Sequence, residues 1–502
     1  MLAQILPRAA ARFGPKTALI SAARTLSYLE LDTLSSHVAG ALAARGISPG
    51  DRVSIYAQNR WEWIVAYHGI VRAGAVVNPI NVMLTTEELR YVLADCGTRA
   101  IFCGPDNTEA VLDAARDVPG VEHIVSFGGS QGKALEFATL LAESAPSPDL
   151  PTAGPTALAT IGYTSGTTGH PKGAMQSHRA VFLNCALTGT MHVRTERDVV
   201  VTALPLPHVY GNVVINSIFM AGGTVVLMER FDPEGALERI ARYRATLFEG
   251  VPTMYMTMLA HTRLGQYDLS SLTRCTVGGQ TFAETVARAW EDRSGAPLLE
   301  LWGMTELAGL GTTHALYAPN VHGSIGVALP GIEVRVAAFD DVSHTMPVGE
   351  PGELMVRGPI VMQGYYGNDQ ATAETIEPDG WLHTGDVAVA DETGHFRMVD
   401  RRKDMINTAG YKVYPAEIER VLAGHPAVAM SAVGPIADEV KGELARAYVV
   451  LRPDAAVTET DLIDFCRSHL AAYKLPRSVR FVADLPKTST GKIMRRELRA
   501  LD

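Results

Sequence analysis

A chain of 502 residues is long enough for two or more domains with full hydrophobic cores. Its net charge of −10 gives no electrostatic support to non-specific nucleic-acid binding, and 47% hydrophobic against 20% charged residues is an ordinary globular composition. The five cysteines are dispersed without C-x-x-C spacing, which fits buried thiols in a reducing compartment better than a disulfide frame or a zinc site.

Residues 1–7 are too short an apolar run for a signal peptide, and Arg8 and Arg12 soon interrupt it. No run reaches the roughly 18 apolar residues of a membrane span, so no transmembrane segment and a cytoplasmic location are expected. Between residues 26 and 128 short apolar runs alternate with helical patterns. Residues 52–57 and 100–103 read as strands, and Thr85-x-x-Glu88 is a capping box opening a helix that ends near Gly97. Such alternation predicts parallel α/β layers. Residues 128–155, richer in Gly, Ser and Pro, read as a surface connection.

The apolar run 157–161 predicts a strand that runs into Tyr163-Thr164-Ser165-Gly166-Thr167-Thr168-Gly169-His170-Pro171-Lys172-Gly173. Glycines there let the backbone turn its N–H groups toward one point, while hydroxyls and a lysine add donors and charge. That is the chemistry of a polyphosphate cradle, and a mobile connector is the competing reading. It is not a Walker loop, because Lys172 follows proline and precedes glycine. The α/β pattern resumes with strands at 199–204 and 223–228 and a helix at 233–243. Strands at 333–336 and 352–356, punctuated by Gly and Pro, predict a β-rich subdomain. The charged run 400–404 is either a solvated turn or a hinge. Beyond it an α+β tail follows, with a helix from Pro415, strands near Met430 and Val449, a helix opened by Thr458 or Thr460, and a basic helix after Lys492. No internal repeat or low-complexity segment occurs.

Chemistry-capable groups recur at loop positions. In Trp302-Gly303-Met304-Thr305-Glu306 a hydroxyl and a carboxylate stand together after an apolar run. A carboxylate near a phosphate loop suits Mg²⁺, a hard ion that bridges to substrate phosphates; a glutamate capping a helix is the bland alternative. Asp386, which closes Gly380-Trp381-Leu382-His383-Thr384-Gly385-Asp386, suits a vicinal diol such as a ribose, or only a turn. Lys492 follows Gly491 at an expected helix start, where ammonium and helix N-terminus face one anion. Taken alone it is an ordinary surface lysine. His208, bracketed by prolines and glycine, is a structural histidine or a site residue. Gly278, Gly279 and Gly303 allow close backbone approach to a flat ligand, or tight packing.

In this order the segments YTSGTTGHPKGA, LPLPHVYG, WGMTE, GWLHTGD, DRRKDMINTAGYKVYPAEIE and PKTSTGK resemble the adenylate-forming superfamily of acyl-CoA synthetases, luciferases and nonribosomal adenylation domains. The resemblance spans nearly the whole chain. It implies a large N-terminal domain, residues 1–400, of layered α/β sheets with a β-rich subdomain, and a small mobile α+β C-terminal lid, residues 401–502. It also implies ATP and coenzyme A as co-substrates, with Mg²⁺. Thr164, Ser165, Gly166, Thr167, Thr168, Gly169 and Lys172 would grip phosphate. Thr305 and Glu306 would contact the α-phosphate, with Glu306 and Thr164 at the metal. Gly279, Glu300, Leu301, Trp302 and Gly303 would line the nucleotide site, the Trp302 ring on adenine where most relatives carry Tyr. Asp386 and Arg401 would hold ribose, and Lys403 occupies the hinge position. Asn407 would touch AMP or the acyl-adenylate, and Ala409 and Gly410 would line the pantetheine passage. Lys492, Glu306, Thr305 and His208 form the implied catalytic set. The C-terminal domain would rotate between the two half-reactions.

Amino-acid-activating relatives set an aspartate against the substrate ammonium, whereas residues 206–212 here hold no carboxylate. A buried ammonium without a partner is costly, so the acid–CoA ligase branch is expected. The chain ends ten residues after Lys492 without a carrier domain, which favours free coenzyme A. Candidate acid-pocket residues Tyr210, Phe248, Gly278 and Leu310 are apolar or small, so an uncharged tail, fatty or aryl, is expected. Malonate or another short-chain acid ranks lower, because no arginine lies in these motifs; Arg274, the nearest, is expected at the surface. A non-catalytic acyl or nucleotide binder and a luciferase-like oxidative protein are the alternatives of another class. Expected partners are the acid, ATP and coenzyme A, with no nucleic acid; homo-oligomerisation is left open.

Overall fold

Short β-branched runs that alternate with amphipathic helices build two mixed sheets around one large core. The computed structural model describes residues 2–147, 153–164, 171–280, 282–408, 411–438, 441–487 and 493–501, without the side chains of Lys403 and Arg496. The first sheet has seven strands, in the order Leu135–Glu136, His123–Ser126, Thr98–Cys103, Arg52–Tyr56, Val76–Pro79, Leu158–Thr164, Lys172–Ser177. All its pairings are parallel except the last, which is an antiparallel hairpin. The second has nine strands. Its centre is the parallel set Thr224–Leu227, Val199–Thr202, Leu247–Gly250, Arg274–Gly278 and Leu298–Met304.

Local signals decide several boundaries. Thr85 and Glu88 form the reciprocal capping box of the helix Thr86–Cys96, and Gly97 ends it at φ +64°. Asp232 caps Pro233–Tyr243, with proline at the first helical position. Helices Tyr28–Ala44 and Trp61–Arg72 pack on each other. On the second of these, Trp63 stacks on Tyr67 with ring centres 5.4 Å apart.

Two smaller sheets follow. Four antiparallel strands, Glu333–Ala337, Gly352–Arg357, Leu382–Ala390 and Phe396–Arg401, form the β-rich part. The last sheet joins Tyr411–Val413, Ile406–Thr408, Gly442–Leu451 and Val428–Asp438, with Ser478–Phe481 added in parallel to Gly442–Leu451. Helices Pro415–Ala423 and Glu459–Arg467 complete a small α+β unit with its own core around Ile418, Val433 and Val449. A large layered α/β body and a small C-terminal α+β unit are thus both present. No helix among the described residues is long and apolar enough to cross a membrane.

One expectation is corrected. The 128–155 connection carries a helix, Phe137–Glu143, whose Phe137 and Leu140 are buried in the main core. Burying each such side chain stabilises by roughly 1.5–3 kcal/mol, which outweighs the turn-rich composition around it. Within the 400–404 run Asp400 is buried, Arg401 and Arg402 are exposed, and Arg402–Asp404 forms a turn of 3₁₀ helix. The basic helix expected after Lys492 is the 3₁₀ helix Arg495–Leu501.

Candidate active site

In the parallel centre of the second sheet, Thr202, Glu249, Thr276 and Leu299 are consecutive partners, so the loops after these strands open at one edge. Ligands of open α/β sheets bind outside such carboxyl ends. The strand Leu298–Met304 delivers the turn Thr305–Leu307 to this edge. The turn docks on the terminal hairpin of the first sheet. Gln176 donates to the Thr305 carbonyl at 2.8 Å, and a Cβ on Gly162 would come within 2.7 Å of the Thr305 methyl. Only glycine permits that approach.

Thr164 and Lys172 face each other across the hairpin, at the two ends of the loop that holds Ser165, Gly166, Thr167, Thr168 and Gly169. Those five loop residues lie outside the described residues. The Lys172 ammonium sits 5.2 Å from the ring centre of Tyr365, and the Tyr365 hydroxyl donates to Glu306 at 2.8 Å. Lysine, tyrosine and carboxylate therefore stand in line. Glu306 is 7% exposed, and burial pushes its carboxyl above the ordinary range, opposed by the Tyr365 hydrogen bond and by the charge of Arg401.

Trp302 and Asp386 come together from different sheets. The indole N–H donates to the Asp386 carboxylate at 2.8 Å, and Arg401 Nε stands 3.3 Å from its other oxygen. Two residues before Trp302, Glu300 is buried and accepts from the Gly323 N–H at 2.7 Å. Burial lifts its carboxyl to about 7. Leu301 leaves no room beside Gly278, where a Cβ would meet its Cδ1 at 2.2 Å, and Gly279 adopts φ +93°. A Cβ on Gly303 would strike the Gly309 carbonyl at 2.1 Å. Asn184 fixes this turn by bonding the Leu307 carbonyl and both backbone groups of Leu310.

His208 caps the helix Val209–Ala221, its Nδ1 accepting from the Tyr210 N–H at 3.2 Å, and shares a cleft with Thr305, Gly162, Tyr163 and Asn212. Tyr210 points inward. Its hydroxyl lies 2.5 Å from Thr276 Oγ1, Thr276 donates to Glu249 at 3.0 Å, and Glu249 pairs with Arg194 at 2.7 Å. Both side chains of that ion pair are fully buried. Phe248 is packed against Tyr255 and Trp290 in the core rather than against an open cleft. Arg274, expected at the surface, is 4% exposed. It pairs with Asp198 at 2.7 Å and donates to the His192 carbonyl at 2.7 Å.

The other site candidates lie past the four-stranded sheet. Asn407 is in the strand Ile406–Thr408, its N–H bonded to Glu443 at 3.0 Å. Ala409, Gly410 and Lys492 lie outside the described residues, and the side chain of Lys403 is likewise not described. Sequence reasoning missed Tyr365, Gln176, Arg194 and Glu249. Tyr365 follows Gly364 in a segment with no motif, and backbone bonds of that segment to Gly173, Met175 and Glu306 itself bring it to the site.

Residues 6–366 match the family model of the AMP-binding enzymes, and residues 417–492 match that of the AMP-binding enzyme C-terminal domain. The chain is 37% identical to a feruloyl-CoA synthase of Amycolatopsis sp., covering 97% of this chain and 96% of that protein. It is 34% identical to a long-chain-fatty-acid–CoA ligase of Escherichia coli O6:H1, covering 99% and 94%. Among solved structures, an anthranilate CoA ligase in complex with anthranoyl-AMP superposes with a TM-score of 0.94 at 28% identity, covering 100% of this chain and 96% of that one. ATP-bound MatB from Rhodopseudomonas palustris gives 0.92 at 32%, covering 100% and 99%. Two family models in the expected order, with full-length relatives in sequence and in structure, leave one conclusion: the chain belongs to the AMP-binding enzyme family, the adenylate-forming acyl-CoA synthetases, and is an AMP-forming acid–thiol ligase.

Proposed function

We propose that this enzyme joins a carboxylic acid with an uncharged tail, aryl ahead of long-chain fatty, to coenzyme A at the expense of ATP. The observation that carries the choice of acid is the closed chain Tyr210–Thr276–Glu249–Arg194 beneath the sheet edge. Arg194 ends this chain, and its charge is matched by Glu249, so it is not offered to a second substrate carboxylate. That ranks malonate and other dicarboxylates lower. The Tyr210 ring is only 5% exposed and anchored by its hydroxyl, so a long alkyl tail would have to displace it, whereas a flat compact acid need not.

The reaction runs in two halves. A carboxylate oxygen of the acid attacks the α-phosphorus of ATP, and the bond to pyrophosphate breaks to give acyl-AMP. The coenzyme A sulfur then attacks the acyl carbon, its proton is lost and AMP leaves. In the first half two anions approach, so positioning and charge stabilisation are the main requirements. Lys172, the 165–170 loop and Lys492 are assigned to the phosphates, Thr305 to the α-phosphate, Asp386 and Arg401 to ribose, and the face of Trp302 to adenine. His208 is assigned to the acid end of the cleft, and Asn407 with the Ala409–Gly410 loop to the adenylate and the pantetheine.

Mg²⁺ fits Glu306, a desolvated hard-oxygen donor whose carboxylate accepts from the Tyr365 hydroxyl, with Thr164 at the end of the facing strand. When bound, it supplies positive charge against the polyphosphate. We divide the chain at 400/401. The four-stranded sheet ends at Arg401 and the last sheet begins at Ile406, so residues 402–405 form the link that would carry a rotation of the smaller unit, with Lys403 as its hinge.

Pyrophosphate release over a panel of aryl, fatty and dicarboxylic acids, with and without coenzyme A, tests the reading. The expected result is acid-dependent release and a thioester product, highest with aryl acids. Release without thioester would point to a luciferase-like relative, no release with any acid would make the protein a binder, and strong preference for a dicarboxylate would overturn the choice of tail.

A further inference from the structure

Arg495 lies three residues beyond Lys492, at the start of the 3₁₀ helix Arg495–Leu501. Its guanidinium is held by carboxylates from three segments. Nη1 meets Asp400 Oδ1 at 2.6 Å and Asp404 Oδ2 at 3.2 Å, while Nη2 and Nε grip Glu419 at 2.6 Å and 3.0 Å. Forked pairing of this kind is strong and fixes direction as well as distance.

The partners lie on opposite sides of the 402–405 link. Asp400 is the penultimate residue of the strand Phe396–Arg401, its side chain is 1% exposed, and its second oxygen accepts the Ala416 N–H at 2.6 Å in the first turn of Pro415–Ala423. Glu419 sits on that helix and also accepts from the Val433 N–H at 2.8 Å. Turning the small unit about the link would part Arg495 and Ala416 from Asp400. It would leave the Glu419 fork intact, because Glu419 and Arg495 move together. One contact is an anchor, the other a latch.

We propose that Arg495 is a positioning residue that latches the Lys492 segment to Asp400 for adenylation and releases it for thioester formation. This rests on the two-step reading given above. The test uses Asp400→Asn and Arg495→Gln in the full chain, singly and together. Pyrophosphate release and conversion of a supplied acyl-adenylate to thioester are measured separately. Each single change should lower pyrophosphate release about tenfold or more. The thioester step should stay within about twofold, and the double variant should be no worse than the poorer single one. An intact thioester step also shows that the variant is folded. Arg495→Lys should recover part of the adenylation rate, keeping the charge but not the fork. Equal loss in both half-reactions, additive losses in the double variant, or unchanged pyrophosphate release would each overturn the latch. Absence of both half-reactions in the unaltered protein would instead overturn the ligase chemistry on which the latch rests.

Discussion

The Trp302 indole donates its N–H to the Asp386 carboxylate at 2.8 Å, tying the residue assigned to adenine to the one assigned to ribose. Both side chains are buried. Trp302→Phe keeps an aromatic face but strips the donor, and a hydrogen bond to a charged group is worth about 1.5–3 kcal/mol. The expected outcome is a KM for ATP raised roughly tenfold with a smaller change in kcat, read from pyrophosphate release against ATP concentration. An unchanged KM would detach this pair from nucleotide binding.

Tyr365 gives a pH-dependent expectation. Burial raises the Glu306 carboxyl, and the Tyr365 hydroxyl opposes that rise by stabilising the ionised form. Tyr365→Phe removes the opposition, so the carboxyl should titrate at higher pH than in the unaltered protein. Adenylation that needs ionised Glu306 should then lose activity on the acid side, roughly tenfold near pH 6, and recover as pH rises. The acid limb of the pyrophosphate-release profile should move upward in pH. A limb that stays in place would mean that Glu306 does not set it.

Glu300 makes a prediction about stability. Its carboxyl titrates at about 7 in the fold, against an ordinary value of 4.5, because it is buried. Between those two values the folded chain keeps a proton that the unfolded chain has released. The protonated carboxyl's contribution is full below pH 4.5 and is lost as pH rises through 7, by about 3 kcal/mol. Glu300→Gln keeps an oxygen for the Gly323 N–H and cannot ionise. It should therefore match the unaltered protein near pH 4.5 and become progressively more stable than it up to pH 8. Urea unfolding across that range checks the sign, and parallel curves would show that Glu300 is not held neutral.

What could be read from the chain was local. A capping box such as Thr85 with Glu88, or Asp232 before Pro233, closes its hydrogen bonds within a few residues, so the order of side chains alone suffices. The hairpin that carries Thr164 and Lys172 and the Thr305–Glu306 turn were equally visible, because glycines and hydroxyls sit there in a fixed order. Tyr365 was not, since it reaches Glu306 through backbone bonds of its segment to residues far along the chain, Met175 and Glu306 itself. Arg274 was misjudged for a related reason. A charge reads as exposed until its partner is known, and Asp198 is supplied by a different strand connection. The Arg194–Glu249 pair, fully buried under the sheet edge, is likewise a product of tertiary structure, and it now bears on the choice of acid.

Lys492 offers the sharpest separation of the two half-reactions. In the first half a carboxylate and a polyphosphate must meet, and an ammonium beside them lowers the barrier most where charge builds up on the transferring phosphorus. In the second half the thiol attacks a carbonyl and AMP departs, with no further anion brought to phosphorus. Lys492→Ala should therefore reduce acid-dependent pyrophosphate release by about a hundredfold or more, as removal of one strong transition-state donor does elsewhere. Thioester formation from a supplied acyl-adenylate should persist. Following both reactions with the same preparation decides the matter, because a damaged fold would lower them together. Equal loss in the two assays would remove Lys492 from the adenylation step.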